Sequence, residues 1–171
     1  MTTTLETPRL ILRHPVPGDW QAFHNFMMSD RSTIFGCHRD LAKTFRSFAA
    51  ELGHWQIFGH GMWAVTIRGD DAAIGLVGPW TPPDWPEPEI GWMIFSGNVE
   101  GTGIAAEAAK AAVADAFTRL GWTTVVSYID KNNNRSIRLA EKLGAVLDTA
   151  ATPPGMPGTI LVYRHPNPVA L

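Results

Sequence analysis

The chain is short of the features that would place it quickly. It has one cysteine, Cys37, no excess of basic charge, and six histidines with no H-E-x-x-H spacing among them. One thiol cannot close an internal disulfide, and without neighbouring cysteines it cannot join a metal cluster, so Cys37 reads as a buried or idle side chain. The histidine pattern gives no reason to assign a metal. No apolar run is long enough to span a bilayer, and the opening M-T-T-T-L-E-T-P-R-L lacks the basic and apolar parts of a leader, so the expectation is a cytoplasmic protein with no membrane partner. A net charge of −2 and a pI near 6.3 argue against a broad grip on nucleic acid.

What is present is ordinary for a folded protein. With 171 residues, 45% hydrophobic and 18% charged, the chain suits a single domain over 1–171 with one core. R-L-I-L-R (9 to 13) alternates as an opening strand, and Asp19 is placed to cap a first helix from Trp20 to Met28. A second helix from Leu41 to Phe58 carries Phe45, Phe48, Ala49, Leu52 and Trp55, and Gly59-His60-Gly61 closes it. M-W-A-V-T-I (62 to 67) and A-A-I-G-L-V-G (72 to 78) flank a turn and read as an antiparallel hairpin. The proline-rich loop after it holds Trp80 and Trp85, which either line a site or cover the core.

The most informative stretch follows. E-I-G-W-M-I-F (89 to 95) is a strand and N-V-E-G-T-G-I-A-A (98 to 106) a glycine turn, followed by an alanine-rich helix to about Leu120 and a β-branched strand from 123 to 130. This is a βαβ unit whose small-residue stripe (Ala105, Ala109, Ala112, Val113, Ala116) lets the helix lie close to a sheet. N–H groups of residues 101 to 106 at the helix start form a site for a pyrophosphate, and glycine at 101 and 103 allows the bend and the close approach. Gly101, Gly103 and Ala106 also match a dinucleotide fingerprint with Asp130 as ribose ligand. That reading lacks room, because the first ninety residues hold two helices and a hairpin and about forty residues remain after Asp130. N-N-N-R-S-I-R-L-A-E-K-L-G (132 to 144) gives a last long helix, and two strands around P-P-G-M-P-G end the chain.

Taken together, L-E-T-P-R-L-I-L-R, P-E-I-G-W-M-I, E-G-T-G-I-A and I-D-K-N-N-N-R-S-I-R-L-A-E-K-L-G resemble, in this order and over essentially the whole chain, the GNAT superfamily of acetyl-CoA-dependent N-acetyltransferases. The branch they are most similar to contains RimJ and RimL. The resemblance implies an α/β fold with a mixed, mostly antiparallel sheet of six or seven strands, splayed at its centre and flanked by about four helices. It implies acetyl-CoA as cosubstrate and no metal. Its phosphate turn, Q/R-x-x-G-x-G/A, falls on Glu100, Gly101, Thr102, Gly103, Ile104 and Ala105, of which Gly103 and Ala105 match, and Ala106 follows as a further cofactor-binding position. Glu100 departs from the usual Gln or Arg there and is expected to point into water. Backbone N–H groups near Ile94 and Phe95 would face the pantetheine arm. Asn133 would hold that arm, and Ser136 would be the acid for the leaving thiolate, because Ala140 stands where many members have a tyrosine; helix capping is the structural alternative for both.

Glu89, the acid of P-E-I-G-W, is the candidate base, directly or through a water. His38, His54 and His60 are expected to be structural or on the surface. The acceptor is a primary amine, either a protein N-terminus or a small molecule. An α-amine at neutral pH is already about a tenth uncharged and needs only modest help. A non-catalytic acetyl-CoA sensor and, more remotely, a dinucleotide-binding protein are the alternatives; the protein would be a monomer or homodimer.

Overall fold

Alternation and turn chemistry build a single continuous sheet. The computed structural model describes residues 3–34, 39–155 and 158–168. Cys37, His38 and the centre of the P-P-G-M-P-G turn lie outside these residues. The strands are β1 (Leu5–Glu6), β2 (Leu10–Arg13), β3 (Trp63–Ile67), β4 (Gly75–Trp80), β5 (Glu89–Ile94), β6 (Val126–Asp130), β7 (Val146–Leu147) and β8 (Ile160–Arg164). Their order is β1-β2-β3-β4-β5-β6-β8-β7. The α/β class and the mostly antiparallel mixed sheet are as expected. The sheet has eight strands among the described residues where six or seven were expected, because two-residue strands at its edges, β1 and β7, carry no alternation to read.

Among the described residues four α-helices flank the sheet: α1 (Trp20–Met27), α2 (Leu41–Phe58), α3 (Ile104–Thr118) and α4 (Asn134–Lys142). Ala108, Ala109, Ala112 and Ala116 of α3 are fully buried, and their small side chains let the helix lie flat on one face of the sheet. Phe23, Phe26, Met27 and Phe48 of α1 and α2 pack on Met62, Ala64 and Leu76, forming a second buried cluster. Asp19 does not cap α1 through its side chain. Its carboxylate instead receives two hydrogen bonds from Arg13, at 2.9 and 2.8 Å, and one from the Val16 N–H at 2.9 Å. Buried and ion-paired, it anchors the chain entering α1.

The apolar residues of helix α2 do not all face inward. Phe45 and Ala49 are exposed, whereas Thr44, Phe48, Glu51, His54 and Trp55 are buried. The apolar pattern misleads because part of the inward face borders a cavity and not the core.

Strands β5 and β6 are parallel and meet only at Glu89 opposite Val126, beyond which they diverge. With the remaining neighbours antiparallel, a doubly wound dinucleotide fold is excluded. The meeting point is held from outside: Arg164 on β8 forks onto Glu87 at 2.6 and 2.9 Å and reaches Asp148 at 2.8 Å. The sheet is therefore closed at Glu89 and open beyond it, and the site lies in that opening.

Candidate active site

Two cavities meet in the gap. One, of about 690 Å³, runs from the β5 backbone past the glycine turn to α4. The other, of about 550 Å³, lies between α2, the Trp80 to Trp85 loop and the sheet. Trp92, Met93, Asn133 and Ser136 border both.

In the first cavity the chain turns at Gly101 (φ 73°) and Gly103 (φ 83°), a left-handed conformation that favours glycine, and α3 starts directly after. The N–H groups of Gly101, Gly103, Ile104, Ala105 and Ala106 have no backbone acceptor among the described residues, and they lie at the positive end of the α3 dipole. Thr102 is the exception in the expected set, since its N–H and its hydroxyl both donate to the Val99 carbonyl, at 3.3 and 2.6 Å. Arg9 fixes the turn from behind. Its guanidinium donates to the Thr102 carbonyl at 3.0 Å and to Glu107 in the first turn of α3 at 2.6 Å.

The expectation for Glu100 needs correction. Its side chain is 41% exposed, yet it is not free in water, because Oε1 accepts from Arg31 at 2.9 Å and from Arg135 at 2.8 Å. The Arg31 guanidinium, with Arg135 beside it, holds this carboxyl below its ordinary range. Arg138 and Lys142 line the same cavity, so four cationic side chains face one carboxylate there.

Of the two residues expected at the pantetheine arm, Ile94 lines the first cavity and Phe95 does not. The Phe95 N–H donates to the Ile74 carbonyl at 2.8 Å, on the β4 side, and its ring packs against Phe23 and Phe26. By strand alternation the Ile94 N–H points the other way, into the gap. Arg31 caps this strand end by donating to the carbonyls of Ile94 and Phe95.

At the junction of the cavities, Asn133 caps α4 by accepting the Ser136 N–H at 3.2 Å, and its amide donates to Ser136 Oγ at 2.9 Å. The Trp92 indole N–H donates to the same oxygen at 3.0 Å. A hydroxyl that accepts two hydrogen bonds has its own proton left to give, and this one borders both cavities. Asn133 thus caps α4, and both residues border the two cavities. Ala140, at the expected tyrosine position, is fully buried.

The second cavity holds Glu89. Its Oε2 accepts the Trp85 indole N–H at 2.6 Å, and burial pushes its carboxyl up to about 7 against the opposing pull of that bond. Across the cavity Glu51 of α2 is 3% exposed, with Oε2 unpartnered, and burial, with the Glu89 charge adding to it, pushes its carboxyl up to about 8. Trp80, at the end of β4, and Trp85, in the loop after it, both line this cavity. His54 and His60 do not line it. His54 accepts the Thr81 N–H at 3.1 Å and stacks on Trp80, and His60 bonds the Thr81 hydroxyl at 2.8 Å, which makes both supports for the loop.

The structure therefore brings together Ile94, Gly101, Gly103, Ala105, Ala106, Asn133, Ser136 and Glu89, with the N–H of Ile104 alongside its neighbours. Reasoning from sequence missed Glu51, Trp92, Arg31 and Arg135. A glutamate on the inward register of α2 was the available signal for the first. The arginine contacts come from loop paths that no local pattern encodes.

A family model described as acetyltransferase (GNAT) domain matches residues 9–146. A crystal structure of an acetyltransferase from Agrobacterium tumefaciens str. C58 is 39% identical, with a TM-score of 0.89 over 98% of this chain and 96% of that one. An acetyltransferase assigned to the same family from Bordetella pertussis is 25% identical, with a TM-score of 0.77 over 96% and 99% of the two chains. The ribosomal-protein α-N-acetyltransferase RimL, solved with coenzyme A, is 15% identical with a TM-score of 0.74 over 96% and 98%. No helix among the described residues is long and apolar enough to cross a membrane.

Proposed function

The chain belongs to the GNAT acetyltransferase family, and from that premise we propose that it moves the acetyl group of acetyl-CoA to a primary amine by direct attack, with Glu89 as base and Ser136 as acid. The division of charge between the two cavities carries this reading. The first is lined by Arg31, Arg135, Arg138 and Lys142 beside unpaired helix N–H groups and suits phosphates; the second has three acids, Glu51, Glu89 and Asp130, and no lysine, arginine or histidine among its described lining residues. RimL, whose fold this chain shares, was solved in complex with coenzyme A.

Acetyl-CoA supplies the activated acetyl group as a thioester. The N–H groups of Gly101, Gly103, Ile104, Ala105 and Ala106 hold the pyrophosphate, and the Ile94 N–H and Asn133 hold the arm. Glu89 takes the proton from the amine, directly or through a water, as the new C–N bond forms and the C–S bond breaks. Ser136 gives its proton to the departing sulfur, and the donors Trp92 and Asn133 stabilise the oxygen left behind. The acceptor is a small amine or a protein N-terminus, and the whole chain acts as one cytoplasmic domain, monomeric or dimeric.

The test is release of free thiol from acetyl-CoA against a panel of short peptides and small amines. Wild type is expected to turn over, and Ser136→Ala to lower kcat by about 10- to 100-fold with acetyl-CoA affinity unchanged. No thiol release with any amine would leave an acetyl-CoA-binding module; an unaltered kcat in the variant would leave Ser136 as a cap only.

Glu100 supplies a second check. Its carboxylate neutralises Arg31 and Arg135 at the phosphate cavity. Glu100→Gln is expected to tighten acetyl-CoA binding by about 3- to 10-fold at low salt, with the gain shrinking at high salt as exposed charges are screened. Weaker binding by the variant would mean that the carboxylate acts mainly by positioning the two arginines.

A further inference from the structure

Three acids among the described residues are almost fully buried: Asp19, Glu51 and Asp115. Asp19 is paired with Arg13 and Asp115 with Arg119. Glu51 has no cationic partner among the described residues, and its Oε2 has no hydrogen-bond partner. Buried polar groups are nearly always satisfied, and an unsatisfied carboxyl is among the more expensive exceptions. The missing partner is therefore sought in what enters the cavity.

Glu51 lines the 550 Å³ cavity from α2, while Glu89 lines it from β5. Trp80, Trp85 and Trp92 line the same cavity with the flexible side chains of Met62 and Met93. Such walls suit a short methylene chain and the cation at its end. A volume of this size is in the range of small-molecule sites and far exceeds what a lone methylamine-sized group requires. Asp130, at the same cavity, is turned to its own loop, accepting the Asn132 N–H at 2.8 Å.

We propose that Glu51 is a second-cation subsite: the acceptor carries, besides the amine to be acetylated near Glu89, a second positively charged nitrogen that pairs with Glu51. This assignment rests on the acetyl-transfer reading for the identity of the first amine. The shared chemistry is two cationic nitrogens on a short apolar spacer, which is found in a free α,ω-diamine and in a peptide whose first residue is basic.

The experiment separates the subsite from the reaction by measuring binding first. In the presence of coenzyme A, which lacks the acetyl group, calorimetry would compare α,ω-diamines of three to six carbons with the matching n-alkylamines. A second arm would compare a tripeptide beginning with lysine with one beginning with norleucine. In wild type at least one doubly charged ligand is expected to bind about tenfold or more tightly than its singly charged match. Glu51→Gln, with folding checked by its coenzyme A binding, is expected to bring that ratio close to one. A diamine preference alone identifies a free small molecule, and a lysine preference alone a protein N-terminus.

No preference in wild type in either arm overturns the subsite, and so does a preference that Glu51→Gln leaves intact. The wild-type comparison stands even if the variant does not fold. Thiol release from acetyl-CoA tells the two readings apart. Preference without thiol release keeps the subsite and removes the reaction; thiol release without preference does the reverse.

Discussion

Glu89→Gln is expected to lower kcat for amine acetylation by about 10²- to 10³-fold, the range lost when a positioned general base is removed. The reasoning starts from where the strand puts the carboxylate. Glu89 opens β5 at the one point where β5 and β6 still pair, and it faces the second cavity beside Trp85. Burial raises its carboxyl to about 7, and the Trp85 hydrogen bond limits the rise. A base in this range is about half ionised at neutral pH and strong enough to accept a proton from an amine as attack proceeds.

The sign of the pH dependence follows. Because the working form is the carboxylate, kcat should fall by about tenfold per unit as pH drops below about 7 and level off above it. The variant has no proton to lose there, and its residual rate should lack this acid limb. A pH series of kcat for both proteins under saturating acetyl-CoA and amine gives the answer. If the variant keeps both the rate and the limb of wild type, the base lies elsewhere. If KM rises while kcat holds, Glu89 only holds a cationic substrate.

The legible and illegible parts of the fold differ in kind. Helix α2 has the bounds expected from Leu41 to Phe58, and α4 follows the cap expected at its asparagines, with Asn133 in that position. Local chemistry sets both, since caps and glycine stops act within a turn or two of the backbone. The glycine turn was legible for the same reason: its φ angles and free N–H groups are properties of nine consecutive residues. The order of the four motifs then supplied the sheet, including the gap after Glu89.

Side-chain partners across the chain were not legible. Arg31 to Glu100 spans 69 positions and Trp92 to Ser136 spans 44, and neither partner has a periodicity that names the other. Helix α2 is more instructive, because its apolar residues Phe45 and Ala49 are exposed. In this helix the inward face carries Thr44, Glu51 and His54 as well as Phe48 and Trp55. Where a helix turns polar residues inward, local preference and global fold disagree, and such disagreements concentrate at functional sites.

Glu51→Gln is expected to make the free protein more stable at alkaline pH and to leave it nearly unchanged in acid. In the folded chain the Glu51 carboxyl is pushed from 4.5 to about 8, mainly by burial. Between these values the folded state holds a proton that the unfolded chain has released, so wild-type stability falls as pH rises through that window. Below about 4.5 both states are protonated and there is no penalty; above about 8 both are ionised and the penalty is complete. A displacement of this size corresponds to roughly 5 kcal/mol at the upper plateau, or a Tm difference on the order of 10 °C for a chain of this length. Glutamine carries no such titration. Thermal melts of both proteins without ligand, near pH 5 and near pH 9, should show a gap that opens only at the higher pH. A gap of equal size at both would mean that Glu51 does not titrate as a buried acid. The expected result also bears on why the residue is there. Among the described residues Glu51 has no cation, and it weakens the fold as it ionises, whereas the equally buried Asp19 and Asp115 are each held by an arginine. A ligand cation would do for Glu51 what Arg13 and Arg119 do for those two. Adding the preferred doubly charged amine near pH 9 should therefore raise the wild-type Tm more than that of the variant and narrow the gap between them.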